Sequence, residues 1–225
     1  MSFYRRIKYF LVHTLKLTNE EAQAAIEKGS VEIDNVSIKD NVFLNDFFEI
    51  KLDGKIVRPK KEFVYIKFYK PIGFESTLSK NVENNLSQFF TDYKNLSIAG
   101  RLDKQSEGLL LLSNNGKWVE NITNPKFEKE KEYLVELNKT PDEHFVQLFT
   151  KGVNIGYHVT KPCTCEIVEG KWIKVVLKEG KNRQIRKMCK TLGYEVEVLR
   201  RTKVDFVDLG KLKAGEKAEF KPKED

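Results

Sequence analysis

Gly100-Arg101-Leu102-Asp103-Lys104-Gln105-Ser106-Glu107-Gly108-Leu109-Leu110-Leu111-Leu112-Ser113-Asn114-Asn115-Gly116 is a polar loop, bounded by glycines, that runs straight into an apolar strand. The brief, fully apolar run Leu109–Leu112 belongs in a core, and the loop before it opens at the mouth of that core. Such a loop holds a carboxylate on a rigid support, and Asp103 is the carboxylate so placed. The plainer use of Asp103 is to cap or shape the turn.

The second informative stretch is Glu179-Gly180-Lys181-Asn182-Arg183-Gln184-Ile185-Arg186-Lys187-Met188-Cys189-Lys190. At about 100° per residue, Ile185, Met188, Cys189 and Leu192 share one helix face. Arg183, Lys187 and Lys190 cluster near the opposite face and suit phosphates. Arg186 falls at the margin of the apolar stripe, where a guanidinium reaches a partly buried carboxylate. A solvated basic face is the commoner use of such a helix. Between the two stretches, residues 132–138 alternate as a strand with Tyr133, Val135 and Leu137 on one side. Tyr133 alone reads as a core tyrosine with a satisfied hydroxyl.

Residues 5–29 read as two short helices. Thr18 and Glu21 form a capping box for the second, and Gly29 stops it. Short strands follow at 31–33, 36–38 and 48–52, with turn chemistry at Asp34-Asn35 and Asp53-Gly54. This is a module of roughly fifty residues. The basic, Pro59-containing stretch 55–62 is a plausible linker. Beyond it, strands are expected at 63–69, 163–168, 172–178 and 195–208, with helices at 84–93, 140–152 and 182–193. In the middle one, Thr140 would be the cap and Pro141 the first helical residue. Helices mixed with long strands indicate an α+β fold on a mixed, mainly antiparallel sheet.

Composition narrows the function classes. Forty Lys and Arg against 33 Asp and Glu give a net charge of +7, which favours a polyanionic partner, nucleic acid first. No run approaches the apolar length of a membrane span, and the N-terminus reads as a helix and not a signal peptide. A cytoplasmic protein with no membrane partner is therefore expected. The three cysteines, Cys163, Cys165 and Cys189, with three His in the chain, suggest buried reduced thiols and no metal site.

The GRLD…GLLLLS run at 100–113 resembles the active-site motif of pseudouridine synthases. KEYLV (131–135) is similar to that family's tyrosine strand, GKNRQIRKM (180–188) to its C-terminal basic motif, and Lys70-Pro71-x-Gly73 with Ser76 to its first motif. The N-terminal stretch resembles an S4 RNA-binding domain, which precedes the catalytic domain in the RsuA branch. Within that branch KEKEYLV, VTKPC and NRQIRKMC look closest to the RluF type, which acts on large-subunit ribosomal RNA. The resemblance implies an S4-like domain over 1–56, a linker over 57–62 and a catalytic domain over 63–225. It implies isomerisation of one uridine in RNA without a cofactor, in a monomer. Asp103 matches the essential aspartate, Tyr133 the tyrosine that stacks on the uracil, and Arg186 the residue that pairs with the aspartate. Arg101, Arg183, Lys187, Lys190 and Lys70 are the expected RNA contacts.

Two departures bear on the S4-like part. Asn19, Glu20 and Glu21 stand where a basic residue is usual, and the usual Val-Asn-Gly turn reads Ile33-Asp34-Asn35. Acid on an RNA-facing helix weakens phosphate contacts. Lys8, Lys28, Lys39, Arg58, Lys60 and Lys61 would compensate. The alternative function is a non-catalytic RNA-binding or ribosome-assembly protein on the same fold, against which the Asp103, Tyr133 and Arg186 set speaks. A two-carboxylate glycosidase is disfavoured because Glu107 is the only companion acid in the aspartate's motif.

Overall fold

The computed structural model describes residues 6–45 and 47–223. The chain divides between Phe63 and Val64 into two compact units, each with its own core. Among the described residues no helix is long and apolar enough to cross a membrane.

In the first unit, helices α1 (Ile7–His13) and α2 (Asn19–Glu27) are joined by a short turn. The expected capping box is present: Glu21 N donates to Thr18 Oγ1 at 3.2 Å, and Thr18 N donates to the Glu21 carboxylate at 2.7 Å. Gly29, at φ +77°, ends the second helix, and a Cβ there would meet Ser37 Oγ at 2.9 Å. Strands β1 (Val31–Ile33), β2 (Val36–Ser37), β3 (Ile50–Leu52) and β4 (Lys55–Arg58) form an antiparallel sheet in the order β2-β1-β3-β4. Asp34-Asn35 and Asp53-Gly54 take positive φ at both positions, the two-residue turn whose twist matches paired strands. Ile7, Leu11, Ala22, Ile26, Val31 and Ile50 are the core. The basic stretch after Gly54 is strand through Arg58, because the Asp53-Gly54 turn folds it back onto β3.

The second unit contains β5 (Tyr65–Lys70), β6 (Ser97–Ala99), β7 (Glu107–Ser113), α3 (Gly116–Thr123), β8 (Lys131–Leu137) and α4 (Glu143–Lys151). It continues with β9 (Thr164–Glu169), β10 (Trp172–Leu177), α5 (Gln184–Thr191), β11 (Val196–Val204), β12 (Val207–Asp208) and β13 (Lys217–Glu219). The sheet runs β13-β5-β7-β11-β8-β10-β9, with β6 on β7 and β12 on β11. Among the described residues only β7 and β11 pair in parallel, so the sheet is mixed and mainly antiparallel, as expected. Leu110 and Leu112 pack into the larger core with Phe68 and Val135, while Leu109 and Leu111 pack on the other side with Tyr69 and Val204. A strand buried on both faces has no room for polar alternation, which explains the leucine run.

Several expectations are corrected. Residues 84–93 hold only a single 3-10 turn, Ser87–Phe89. Asn84 takes φ +51°, and Phe89 and Phe90 pack on Phe68, so aromatic anchoring replaces a helix. In α4 the cap is Asp142, whose Oδ1 accepts from Phe145 N at 2.8 Å, and Pro141 lies outside the helix. Helix α5 starts at Gln184 because Arg183 is left-handed, at φ +52°. Cys163 is only partly buried, whereas Cys165 and Cys189 are buried, and all three are free thiols. Burial pushes Cys163 up to about 11 and the other two up to about 12.

Candidate active site

One cleft of about 830 Å³ gathers the stretches singled out in the sequence. Its walls come from the loop between β6 and β7, from Tyr133 on β8, and from the segment leading into α5. Asp103 sits half-buried on that loop. The loop is held by its own backbone and by two buried side chains. Asp103 O accepts from Ser106 N at 3.0 Å, and Lys104 O accepts from Gly73 N at 2.8 Å. Ser76 Oγ donates to Leu102 O at 2.7 Å and accepts from Leu102 N at 3.0 Å.

The second side chain is Arg201, which the sequence reading missed. It is only 2% exposed, on β11 beside Gly108 of β7. Its Nε donates to Leu109 O at 2.7 Å, its Nη2 to Gly100 O at 2.9 Å and its Nη1 to Arg101 O at 3.4 Å. One guanidinium thus ties the start of the Asp103 loop to the strand that follows it. Gly108 makes the approach possible: at φ +101°, a Cβ there would lie 2.8 Å from Arg201 N. Two adjacent arginines inside a strand carry no mark of which is buried; only the pairing of β11 with β7 decides it.

Tyr133 is 8% exposed, in the main core, and borders the cleft. It pairs with Val175 on one side and Arg201 on the other. The strand alternation read for Tyr133, Val135 and Leu137 holds, since all three are buried.

Arg186 is half-buried at the flank of the loop. Its Nη2 donates to Gln105 O at 2.8 Å and its Nη1 to Val196 O at 3.0 Å, while its Nε is buried without a partner. Burial is the main force against its charged form, nearby Arg183 adds to it, and the Asp103 charge opposes both. Asp103 is near enough to act on Arg186 through space, yet among the described residues the two form no ion pair within 4 Å.

Of the expected RNA contacts, Arg101 and Arg183 line the cleft and are exposed. Arg183 Nη2 donates to Gln105 Oε1 at 3.0 Å. Lys187 and Lys190 stand on α5 outside the lining. Lys70 does not fit the role. It is fully buried, and its Nζ donates to Pro71 O and Phe74 O, both at 2.8 Å. Burial pulls its pKa down to about 8, with Glu75, Asp103 and Glu107 opposing that pull. The ammonium braces the turn after β5 and is turned away from solvent, so it meets no phosphate.

Glu107 is also engaged elsewhere, accepting from Arg200 Nε at 2.7 Å. Two other acids reach the cleft unforeseen, Glu75 and Glu179. Glu179 is 7% exposed, and its Oε1 accepts from both Lys161 N at 2.9 Å and Gln184 Nε2 at 2.8 Å. Eight Lys and Arg residues against three acids line the cleft. A concave wall of that sign concentrates a polyanion at its mouth.

The model of the RNA pseudouridylate synthase family matches residues 64–191. The dual-specificity RNA pseudouridine synthase RluF of Escherichia coli (strain K12) is 34% identical over 215 residues, covering 94% of this chain and 73% of that one. The ribosomal small subunit pseudouridine synthase A of Pasteurella multocida is 31% identical, covering 91% of this chain and 90% of that one. The ribosomal large subunit pseudouridine synthase B of Bacillus subtilis is 26% identical over 97% and 93%. A solved structure described as a pseudouridylate synthase superposes with a TM-score of 0.67 at 30% identity, covering 96% of both chains. With more than half of the chain inside the family model and relatives matching nearly all of it, the chain belongs to the RNA pseudouridine synthases, isomerases that convert uridine to pseudouridine.

Proposed function

We propose that this isomerase acts on a uridine of large-subunit ribosomal RNA, with Asp103 as the group that engages the reacting nucleoside. The observation that carries the reading is that Asp103 and Tyr133 border one cleft whose walls are strongly cationic. The names of the relatives support ribosomal RNA as the substrate class, and large-subunit RNA appears in that of the Bacillus subtilis relative.

In the reaction the C1′–N1 bond breaks, the uracil turns, and C1′ bonds to C5. The C5 hydrogen leaves as a proton and N1 gains one, so atoms and electrons balance without a cofactor. The target nucleotide must leave its stack to reach a half-buried carboxylate. Asp103 either attacks the nucleoside or takes the sugar 2′-hydrogen, and both roles use its carboxylate. Arg186, which feels the Asp103 charge and keeps a buried, unpartnered Nε, orients that carboxylate. Tyr133 presents its ring to the flipped uracil. Arg101, Arg183, Lys187 and Lys190 meet phosphates around it. We read the first unit as an S4-like RNA-binding domain, supported by its exposed Lys28, Lys39, Lys60 and Lys61.

The test is release of tritium from RNA labelled at uracil C5, with transcribed large-subunit RNA and its fragments as substrates. Asp103→Asn should bring release to background while RNA affinity changes less than about threefold, since the substitution removes no phosphate contact. Release from the variant at the wild-type rate would overturn the role given to Asp103.

A further inference from the structure

The turn at residues 154–159 holds one aromatic side chain in solvent on a fixed backbone. Asn154 and Val159 face each other in an antiparallel bridge. Ile155 N donates to His158 O at 2.9 Å, and Gly156 N donates to Asn154 Oδ1 at 2.9 Å. Below the tip, Val153 and Ile155 are buried in the main core, and Val153 N donates to Thr160 Oγ1 at 2.9 Å. On one flank His158 Nε2 lies 3.4 Å from Glu179 Oε2, on the cleft wall. On the other, Thr191 of α5 donates to Asn154 O at 3.3 Å. At the tip of this anchored turn, Tyr157 is 63% exposed.

At that exposure the Tyr157 ring contributes little to the protein's own packing and is free to meet a ligand. Its neighbours are cationic. Lys187 Nζ lies 4.7 Å from the Tyr157 ring centroid and 3.5 Å from its hydroxyl oxygen. The same Nζ lies 3.3 Å from Asn182 Oδ1, and Asn182 is part of the cleft lining. Tyr157 therefore stands one side chain away from the cleft mouth. Exposed Arg183 and Lys190 belong to the same basic stretch.

We propose that Tyr157 is a base-stacking subsite for single-stranded RNA that flanks the nucleotide held in the cleft. A ring with an ammonium beside it matches what a single strand offers: a base face for the ring and a phosphate for Lys187. Apart from Tyr157, Val159 is the only strongly exposed apolar side chain of the turn, too little area for a protein interface. The inference rests on the reading of the cleft as an RNA isomerase site and extends that site outward.

Short single-stranded RNAs with a central uridine, and 2-aminopurine scanned through the flanking positions, provide the test. Wild-type protein should quench the probe at one flanking position. Tyr157→Leu should abolish that quenching and raise the dissociation constant about tenfold, the size of one lost base–aromatic stack. In tritium release the loss should fall on KM and not on kcat. Tyr157→Phe should keep both quenching and affinity, and equal thermal midpoints should show that neither variant is misfolded. Wild-type quenching and affinity in Tyr157→Leu would overturn the proposal, as would a Tyr157→Phe protein impaired as badly as Tyr157→Leu. Quenching needs no turnover. Absence of tritium release with quenching intact would therefore count against the isomerase assignment and leave the stack standing.

Discussion

At the scale of single residues, the site depends on a cation that no motif reading singled out. Arg201 contributes hydrogen bonds to three main-chain carbonyls, and those carbonyls bracket the Asp103 loop. Replacing this buried guanidinium leaves its three carbonyl acceptors without it, which costs more than the bonds themselves contribute. Arg201→Met keeps much of the volume and removes the donors. It should lower stability by about 3 kcal/mol and the thermal midpoint by roughly 5–10 °C. If the loop positions Asp103, kcat for tritium release should drop at least about tenfold below the melting range, since small misplacements of a reacting group are costly. A variant that loses stability and keeps kcat would make Arg201 purely structural. Lys70 teaches a related lesson. A basic residue in an RNA-binding chain invites a phosphate reading, yet its two carbonyl partners and complete burial give it a bracing role.

At the scale of elements, the helix ends show how far local chemistry can be read. The Thr18–Glu21 box forms as expected, and it also explains an acid that seemed misplaced on an RNA-facing helix: Glu21 caps α2, and its hydrogen bonds to Thr18 hold its carboxyl below the usual range. The α4 start is less legible. Thr140 and Pro141 carry the start signals read in the sequence, yet the cap is Asp142, whose carboxylate accepts from Phe145 N. Asp142→Ala should therefore cost about 1 kcal/mol in denaturant unfolding, while Thr140→Ala should change stability by less than about 0.5 kcal/mol. A loss in Thr140→Ala with none in Asp142→Ala would return the cap to Thr140. Long alternating or apolar strands are the most legible elements, as β7 and β8 show. Elements whose order comes from distant packing are not. β6 and β13 are three-residue strands that exist because β7 and β5 lie beside them. β4 is hidden by its basic composition, although the Asp53-Gly54 turn before it demands a returning strand. The same limit applies to the site. Asp103 and Tyr133 lie in stretches with a local signature, whereas Arg201, Glu75 and Glu179 come to the cleft only through topology.

At the scale of the whole molecule, each of the two units buries an apolar core of its own. The first core draws only on residues 7–57, and the two cores of the second draw only on residues 64–220. The residues gathered around the cleft, from Glu75 to Arg201, all belong to the second unit, which also contains the stretch matched by the family model. Chemistry and stability of the second unit should therefore survive removal of the first. A protein comprising residues 64–225 should unfold in one cooperative transition and release tritium at saturating RNA with a kcat within about threefold of the full chain. Its RNA affinity should fall, and the dependence of log affinity on log salt should become shallower. Every phosphate that the shortened protein leaves unneutralised takes away about 0.7 of slope on a single strand and about 0.9 on a duplex. The change in slope thus measures how many phosphates the first unit neutralises. An unchanged slope would remove the RNA-binding role from that unit, and its helix-borne acids would then be read as ordinary capping. A kcat that collapsed in the shortened protein despite a normal unfolding transition would mean that the first unit takes part in forming the reactive complex.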